Sequence, residues 1–148
     1  RALAIYDSAR RFMRASGNTV QWVNGYPSEA LLRQDVERGD LYVMEDGGAV
    51  YGVFAFIIGD DPTYQTIHGA WLDSTMPYGT LHRLGSDGTH RGVLAEAVDW
   101  ALTRLPHLRA DTHEANLPMQ RCLERVGFTR CGVIHIADGT PRLAYERV

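Results

Sequence analysis

The fold is decided by a stretch that reads Leu81-His82-Arg83-Leu84-Gly85-Ser86-Asp87-Gly88-Thr89-His90-Arg91-Gly92-Val93-Leu94-Ala95-Glu96. Residues 81–84 predict a short strand, and residues 85–88 are turn formers whose two glycines adopt positive φ at little cost. From Gly92 to Arg104 the apolar residues repeat at helical spacing, so a helix follows the turn. Such a turn offers free backbone N–H groups and the positive end of a helix dipole, which makes it a candidate phosphate site. Many glycine-rich turns bind nothing, so this turn alone does not establish a phosphate site.

The composition is that of an ordinary globular protein, and at 148 residues we expect one domain over residues 1–148. A net charge of −3 disfavours nucleic acid and anionic membranes as partners. Cys122 and Cys131 lack the spacing of metal ligands, so we expect no metal, reduced thiols and a cytoplasmic location. No apolar run approaches the roughly 20 residues of a membrane span. We expect a monomer or a homodimer.

Periodicity and turn signals predict helices and strands in a mixed order. The predicted helices cover residues 2–15, 29–38, 92–104 and 116–126, and the predicted strands cover residues 41–45, 49–58, 67–72, 81–84, 107–111, 128–136 and 142–148. Ser28 is a good N-cap for the second helix, whose expected apolar face is Leu31, Leu32 and Val36. Hairpins mixed with helical crossovers predict a mixed sheet with helices on both faces.

Two more motifs follow the glycine turn. The first, Asp111-Thr112-His113-Glu114-Ala115-Asn116-Leu117-Pro118-Met119-Gln120, places an Asn where a strand gives way to a helix. The second, Leu123-Glu124-Arg125-Val126-Gly127-Phe128, ends that helix. An Asn followed by Gly-Phe at this spacing, after a glycine turn, is far more specific than the turn alone.

With these motifs the chain resembles the GCN5-related N-acetyltransferase (GNAT) superfamily over nearly its whole length. The resemblance implies an α/β fold with a mixed, mostly antiparallel sheet, splayed central strands and helices on both faces. It implies acetyl-CoA (coenzyme A) as the cofactor and acetyl transfer to a primary amine of a small molecule. A protein N-terminal acetyltransferase, or a degenerate acyl-CoA-binding module or sensor, remains an alternative. The last is motivated by Leu94 and Leu123, where the family usually has Gly or Ala, and Tyr. Thr89 also departs from the usual Gln or Arg, but the backbone holds the phosphate there, so this change need not abolish binding.

The resemblance also implies the cofactor contacts. They fall on one strand and turn (Arg83, Leu84, Gly85, His90, Arg91, Gly92, Val93, Leu94 and Ala95) and on the following helix (Asn116, Met119 and Cys122). The backbone of residues 83–85 would meet the pantetheine arm, with an N–H near Leu84 polarising the thioester carbonyl. The backbone of residues 92–95 would hold the pyrophosphate.

Three residues are candidates for catalysis. His82 is the favoured general base, because it lies beside the expected thioester and a histidine titrates near neutral pH. His113 is the second candidate, and Asn116 would hold the pantetheine or relay a proton. The structural alternatives are a packed sheet histidine, a surface-loop histidine and a helix N-cap.

The acceptor side is expected over the early helices and two loops. Tyr26, Tyr64, Trp71 and Tyr78 would form an aromatic, substrate-binding wall. Asp60, Asp61 and Asp73 would attract a cationic amine, and Tyr145 is expected in the core.

Overall fold

The fold is taken from a computed structural model that describes residues 2–15 and 27–148, with the side chains of residues 12–15 excepted. The helices are α1 (Ala2–Ala15), α2 (Glu29–Arg38), α3 (Val93–Leu102) and α4 (Leu117–Arg125). The strands are β1 (Leu41–Asp46), β2 (Ala49–Ile58), β3 (His68–Gly69), β4 (Gly79–Ser86), β5 (Leu108–Thr112), β6 (Thr129–His135) and β7 (Pro141–Arg147). A 3-10 turn covers Pro62–Tyr64.

The strands in the described part of the chain form one seven-stranded sheet in the order β1-β2-β4-β5-β7-β6-β3. Neighbouring strands are antiparallel except β4 and β5, which are parallel. The β4–β5 ladder consists of the pairs Gly79–Leu108 and Thr80–Arg109, and beyond them the two strands diverge. This confirms the predicted mixed, mostly antiparallel sheet with splayed central strands.

Helices cover both faces of the sheet, as predicted. Ile5, Tyr6 and Leu32 of α1 and α2 are buried with Val53 of β2 on one face. The apolar side of α3 packs on the other face, in a larger cluster that also holds Leu123 of α4. The sequence pattern wrongly placed Val36 in the apolar face of α2, where it is 62% exposed. Asp35 is buried there instead.

Two predicted strand boundaries are corrected. Gly85 and Ser86, expected in the turn, continue β4 and pair with Val53 and Gly52 of β2. The strand predicted over residues 67–72 shrinks to His68–Gly69, because the N–H groups of Leu72 and Asp73 donate to the buried Glu146 side chain instead of to a strand. Every helix in residues 2–15 and 27–148 is too short or too polar to span a membrane.

Candidate active site

β4 carries a β-bulge in the part of the strand that no longer pairs with β5. Val53 pairs with Gly85 and Ala55 pairs with His82, so Phe54 of β2 faces both Arg83 and Leu84. Arg83 adopts a φ of +51°, in the left-handed region that side chains rarely occupy. A bulge bends its strand and changes the direction of its backbone groups. The predicted contact stretch Arg83–Gly85 is therefore the distorted part of β4.

The Arg83 side chain is bound on the α1/α2 face. Its Nε and Nη2 atoms donate to the two carboxylate oxygens of Asp35, at 3.0 and 2.8 Å. The Tyr6 hydroxyl donates to the Arg83 carbonyl oxygen at 2.6 Å. The prediction of Arg83 as a cofactor contact therefore concerns its backbone.

The turn before α3 is built by its own side chains. Thr89 donates through its backbone N–H and its hydroxyl to Asp87 Oδ1, at 3.0 and 2.6 Å. Gly92, with a φ of +69°, stands at the N-cap and makes no side-chain cap. The first N–H groups of α3 consequently meet no side-chain acceptor from the cap, the arrangement that suits an anion.

Leu94 does not occupy the turn. It is 9% exposed and packs, with Val93, in the cluster between α3 and the sheet. The bulky residue at a position where the family has Gly or Ala therefore leaves the N-terminus of α3 open. Ala95 is half-buried and Arg91 is exposed beside it.

His90 joins the turn to the β1–β2 hairpin. Its ring stacks on Tyr51 at a centroid distance of 3.7 Å, and its Nε2 atom lies 3.2 Å from Asp46 Oδ2. The Tyr51 hydroxyl donates to Glu96 of α3, and that hydrogen bond is the largest cause raising the pKa of Tyr51 to about 12. Its stacking and carboxylate contact make His90 a brace for the turn.

His82 and Asp61 form a pair on the acceptor side of β4. His82 Nε2 lies 2.8 Å from Asp61 Oδ2, and the two side chains are 20% and 18% exposed. Thr63 donates to Asp61 Oδ1 through its N–H (2.9 Å) and its hydroxyl (2.7 Å), while the Asp61 N–H donates to the Tyr78 hydroxyl. Burial raises the pKa of Asp61, but the hydrogen bonds from His82 and Thr63 outweigh it and lower the pKa to about 2.

Three of the predicted wall residues come together beside this pair. Tyr64 lies 5.3 Å from Trp71 and 6.2 Å from Tyr78 between ring centroids, and 6.2 Å from His82. The Tyr64 hydroxyl donates to Asp111 Oδ2 at 2.6 Å, and burial, with that carboxylate, raises the pKa of Tyr64 well above its ordinary value. Tyr64 and Tyr78 are buried, so they form a floor more than an open wall. The fourth predicted residue, Tyr26, lies outside the described residues.

A buried charge network, which the sequence did not predict, fixes the loop over residues 70–78. Glu146 is fully buried, and its Oε2 atom accepts from Arg109 Nε at 2.8 Å and lies 2.7 Å from His107 Nε2. Its other oxygen accepts the N–H groups of Leu72 and Asp73. The Arg109 guanidinium lies between the Trp71 and Tyr78 rings, 3.9 and 4.0 Å from their centroids. The cation that contacts the Trp71 and Tyr78 rings is therefore the Arg109 side chain of the protein itself.

The other two predicted acids do not meet His82. Asp60 is exposed. Asp73 accepts from the N–H groups of Thr75 (2.8 Å) and Met76 (3.1 Å), which lowers its pKa. Asp61 is thus the member of the predicted acidic group that reaches the candidate base.

The start of α4 holds the remaining candidates. Asn116 is 8% exposed, and its side-chain oxygen accepts from the Met119 N–H at 3.2 Å, so it is a helix N-cap. His113 Nδ1 accepts from the Ala115 N–H at 2.9 Å. Burial, followed by the nearby charge of Arg142, lowers the pKa of His113.

The side chains along α4 are packed against the core. Met119 and Cys122 are half-buried and border the α3 cluster, and Leu123 is 1% exposed within it. Tyr145 of β7 is buried as predicted, and its hydroxyl has no hydrogen-bond partner among the described residues. Leu123 therefore supplies no acidic proton at the position where the resemblance implies a Tyr.

Comparison with known proteins identifies solved structures of the same fold. No protein-family model and no curated protein sequence matches the chain. A GNAT-family acetyltransferase from Streptococcus agalactiae is similar over 99% of this chain and 87% of its own, with 31% identity and a TM-score of 0.86. One from Listeria monocytogenes has 20% identity and a TM-score of 0.68, over 97% of this chain and 85% of its own.

A third solved structure shares the fold alone. An acetyltransferase from Bacillus subtilis, solved in complex with CoA, has 12% identity and a TM-score of 0.58, over 82% of this chain and 84% of its own. The Streptococcus protein is the informative relative, because its 31% identity extends over nearly all of both chains. With that relative and this fold, the chain belongs to the GNAT family of acetyltransferases.

Proposed function

We propose that this protein transfers an acetyl group from acetyl-CoA to a primary amine of a small molecule. The observation that carries the proposal is His82, which stands on β4 directly before the bulge with its ring bound to Asp61. When bound, acetyl-CoA supplies an activated acyl group. In the net reaction the amine nitrogen bonds to the acetyl carbon, the carbon–sulfur bond breaks, and the amine gives up a proton.

Two features support CoA as the acyl carrier. The N-terminus of α3 begins at a left-handed glycine without a side-chain cap, which fits a pyrophosphate. The splay beyond the Thr80–Arg109 pair leaves β4 and β5 apart at the bulge, which fits an extended pantetheine arm. A structure of the same fold holds CoA. Because the Leu94 side chain lies in the core, the departure at that position does not argue against CoA.

The hydrogen bonds of His82 suit a general base. Because Asp61 is ionised above pH values of about 2, it accepts, and His82 Nε2 carries the hydrogen between them. His82 Nδ1 then keeps its lone pair for a proton from the acceptor ammonium. His113 is less suited, because its Nδ1 already accepts from Ala115. We assign the proton for the leaving thiolate to water, since Leu123 has none.

The anchored loop supports a small acceptor. Tyr64 and Tyr78 are buried beneath it, and the bonds of Glu146 to Leu72 and Asp73 hold its backbone to the sheet. A fixed aromatic floor suits a compact amine better than an extended chain. The ionised Asp61 carboxylate would favour a cationic acceptor.

Calorimetry and thiol release test the proposal together. We expect CoA and acetyl-CoA to bind, and acetyl-CoA to release free thiol only in the presence of amines from a small-molecule panel. His82→Gln should bind CoA as the wild type does and release little thiol. No binding at millimolar CoA would end the enzyme hypothesis.

The alternatives give different results in the same assays. Tight binding with no thiol release from any amine would favour an acyl-CoA sensor. Release with peptides bearing free N-termini, but not with small amines, would favour a protein N-terminal acetyltransferase.

A further inference from the structure

Arg83 is a strained residue placed at the centre of the bulge. Within residues 2–15 and 27–148, it is the non-glycine residue with positive φ. The left-handed region is unfavourable for a residue with a Cβ, because that atom crowds the following carbonyl oxygen. A glycine at this position would adopt the same φ at little cost. The strain persists because neighbouring groups over-determine it, and such outliers are concentrated at functional sites.

Asp35 of α2 holds the Arg83 side chain. The pair is bidentate, and the Arg83 and Asp35 side chains are 10% and 3% exposed. A planar guanidinium bound by two parallel hydrogen bonds fixes direction as well as distance. A buried ion pair contributes little net stability, because desolvation offsets most of the attraction. Stability alone therefore gives little reason for this pair.

Tyr6 of α1 holds the backbone of the same residue. Its hydroxyl donates to the Arg83 carbonyl oxygen at 2.6 Å, and the ring is fully buried. The ring lies against Gly85, where an added Cβ would come within 3.1 Å of Tyr6 Cδ1. The absence of a side chain at Gly85 lets α1 approach β4 at the bulge. Two helices thus hold one residue, α2 through its side chain and α1 through its carbonyl.

We propose that Asp35, Tyr6 and Arg83 are positioning residues that aim the backbone N–H of Leu84 at the thioester carbonyl. The peptide unit between Arg83 and Leu84 contains both the carbonyl bound by Tyr6 and the Leu84 N–H. Fixing that carbonyl fixes the N–H, because the peptide group is planar. A preorganised donor of this kind stabilises charge that develops on the carbonyl oxygen. This inference rests on the proposed function. It explains why position 83 carries an arginine although the backbone conformation there favours glycine.

The central variant is Asp35→Asn, with Arg83→Lys and Tyr6→Phe beside it. Arg83→Lys keeps the charge and loses the fork, and Tyr6→Phe loses only the hydroxyl. Glu29→Gln is the matched control, because it removes an exposed carboxylate of α2 that pairs with Arg33 and leaves the bulge untouched. All assays are run well below the melting temperature of each variant.

Three measurements separate positioning from stability. We expect Asp35→Asn to lower kcat by about tenfold or more, as a misplaced group does, with CoA affinity within about twofold of the wild type. The carbonyl ¹³C shift of bound, carbonyl-labelled acetyl-CoA should move towards its free value. When acetyl-CoA binds, the Leu84 amide-proton resonance should shift as its N–H meets the carbonyl oxygen, and this shift should be smaller in Asp35→Asn. Arg83→Lys and Tyr6→Phe should change in the same direction, and Glu29→Gln should match the wild type.

The proposal is overturned if Asp35→Asn melts earlier while kcat, the ¹³C shift and the ligand-induced Leu84 amide shift stay at wild-type values. A wild type that binds acetyl-CoA but releases no thiol contradicts the proposed transfer instead. The ¹³C shift and the ligand-induced Leu84 amide shift still test the positioning residues in that case. A Leu84 amide shift that equals the wild-type value in all three variants would refute the positioning by itself.

Discussion

Asp61 Oδ2 lies 2.8 Å from His82 Nε2, while the other Asp61 oxygen is held by two hydrogen bonds from Thr63. The hydrogen bonds from Thr63 therefore fix the orientation of the Asp61 carboxylate independently of His82. The carboxylate in turn determines which ring nitrogen of His82 carries the hydrogen. Replacing His82 with Gln should lower kcat by about 10²- to 10⁴-fold, the range of a lost general base, with CoA affinity unchanged. Steady-state kinetics and calorimetry check this, and wild-type kcat in His82→Gln would exclude His82 as the base.

Asp61→Asn should lower kcat while CoA affinity stays constant. An amide can offer either its oxygen or its NH₂ to His82, so the tautomer with a free Nδ1 lone pair is no longer imposed. We expect a loss smaller than that of His82→Gln and measurable against a Thr63→Val control, which removes one hydroxyl and keeps the carboxylate. A larger loss in Thr63→Val than in Asp61→Asn would contradict the role of the charge.

Acid should remove the stability that Asp61 contributes. The pKa of Asp61 is lowered from 3.8 to about 2 in the folded protein, so its contribution is fully present above pH 3.8. Between pH 3.8 and 2, the unfolded chain binds a proton that the native state does not, and the contribution is lost. The melting-temperature difference between wild type and Asp61→Asn should therefore shrink across this window. A difference independent of pH would be the contrary result.

Gly92→Ala should weaken CoA binding by about tenfold, which is about 1.4 kcal/mol. The φ of +69° strains any side chain, and the added Cβ would project into open space at the start of α3. Gly88→Ala is the matched control, with a φ of +83° and equally open surroundings in the same turn. Calorimetry should show a much smaller change for Gly88→Ala. Equal effects would mean that the turn, and not the helix start, matters.

Leu94→Ala should destabilise the fold by about 2–5 kcal/mol, as buried leucines do, and leave CoA affinity nearly unchanged. The Leu94 side chain belongs to the cluster between α3 and the sheet. Urea unfolding and calorimetry measure the two effects, with the exposed Leu3 as a control site. Tighter CoA binding by Leu94→Ala would show that the leucine obstructs the turn after all.

Glu146→Gln should cost about 3–5 kcal/mol of unfolding free energy, the range for a broken buried ion pair. It leaves Arg109 and His107 without their shared carboxylate. Urea unfolding measures the loss, and Glu124→Gln, on the exposed side of α4, is the control. A loss no larger than that of the control would show that the network carries little stability.

Local signals predicted the regular elements well. α1 and β2 have the bounds that periodicity and turn residues indicated, and Ser28 caps α2 through the Leu31 N–H. Each of these signals depends only on residues that are close together in the chain. A single sequence is therefore enough to predict them. The buried Leu94 shows the limit of motif comparison, since helical spacing places it beside the apolar stripe of Val93, Ala97 and Ala101.

Pairings between distant charged residues could not be predicted. Asp35 and Arg83, or Arg109 and Glu146, meet only after the sheet forms, and charged residues are ordinarily expected at the surface. One signal for Glu146 did exist. It follows Leu143-Ala144-Tyr145 in a strand buried on both faces, where a charge must have a partner.

If the proposed acyl carrier binds between β4 and β5, its binding would stabilise the folded protein. Within residues 2–15 and 27–148, each strand lacks a pairing neighbour on one side beyond the Thr80–Arg109 pair, so a molecule lying between them would add hydrogen bonds and contacts. Binding to the native state only, at a concentration one hundred times Kd, adds about 2.7 kcal/mol to the unfolding free energy. The concentration of acyl carrier would thus affect the resistance of the folded protein to unfolding and proteolysis, as well as the rate of the reaction.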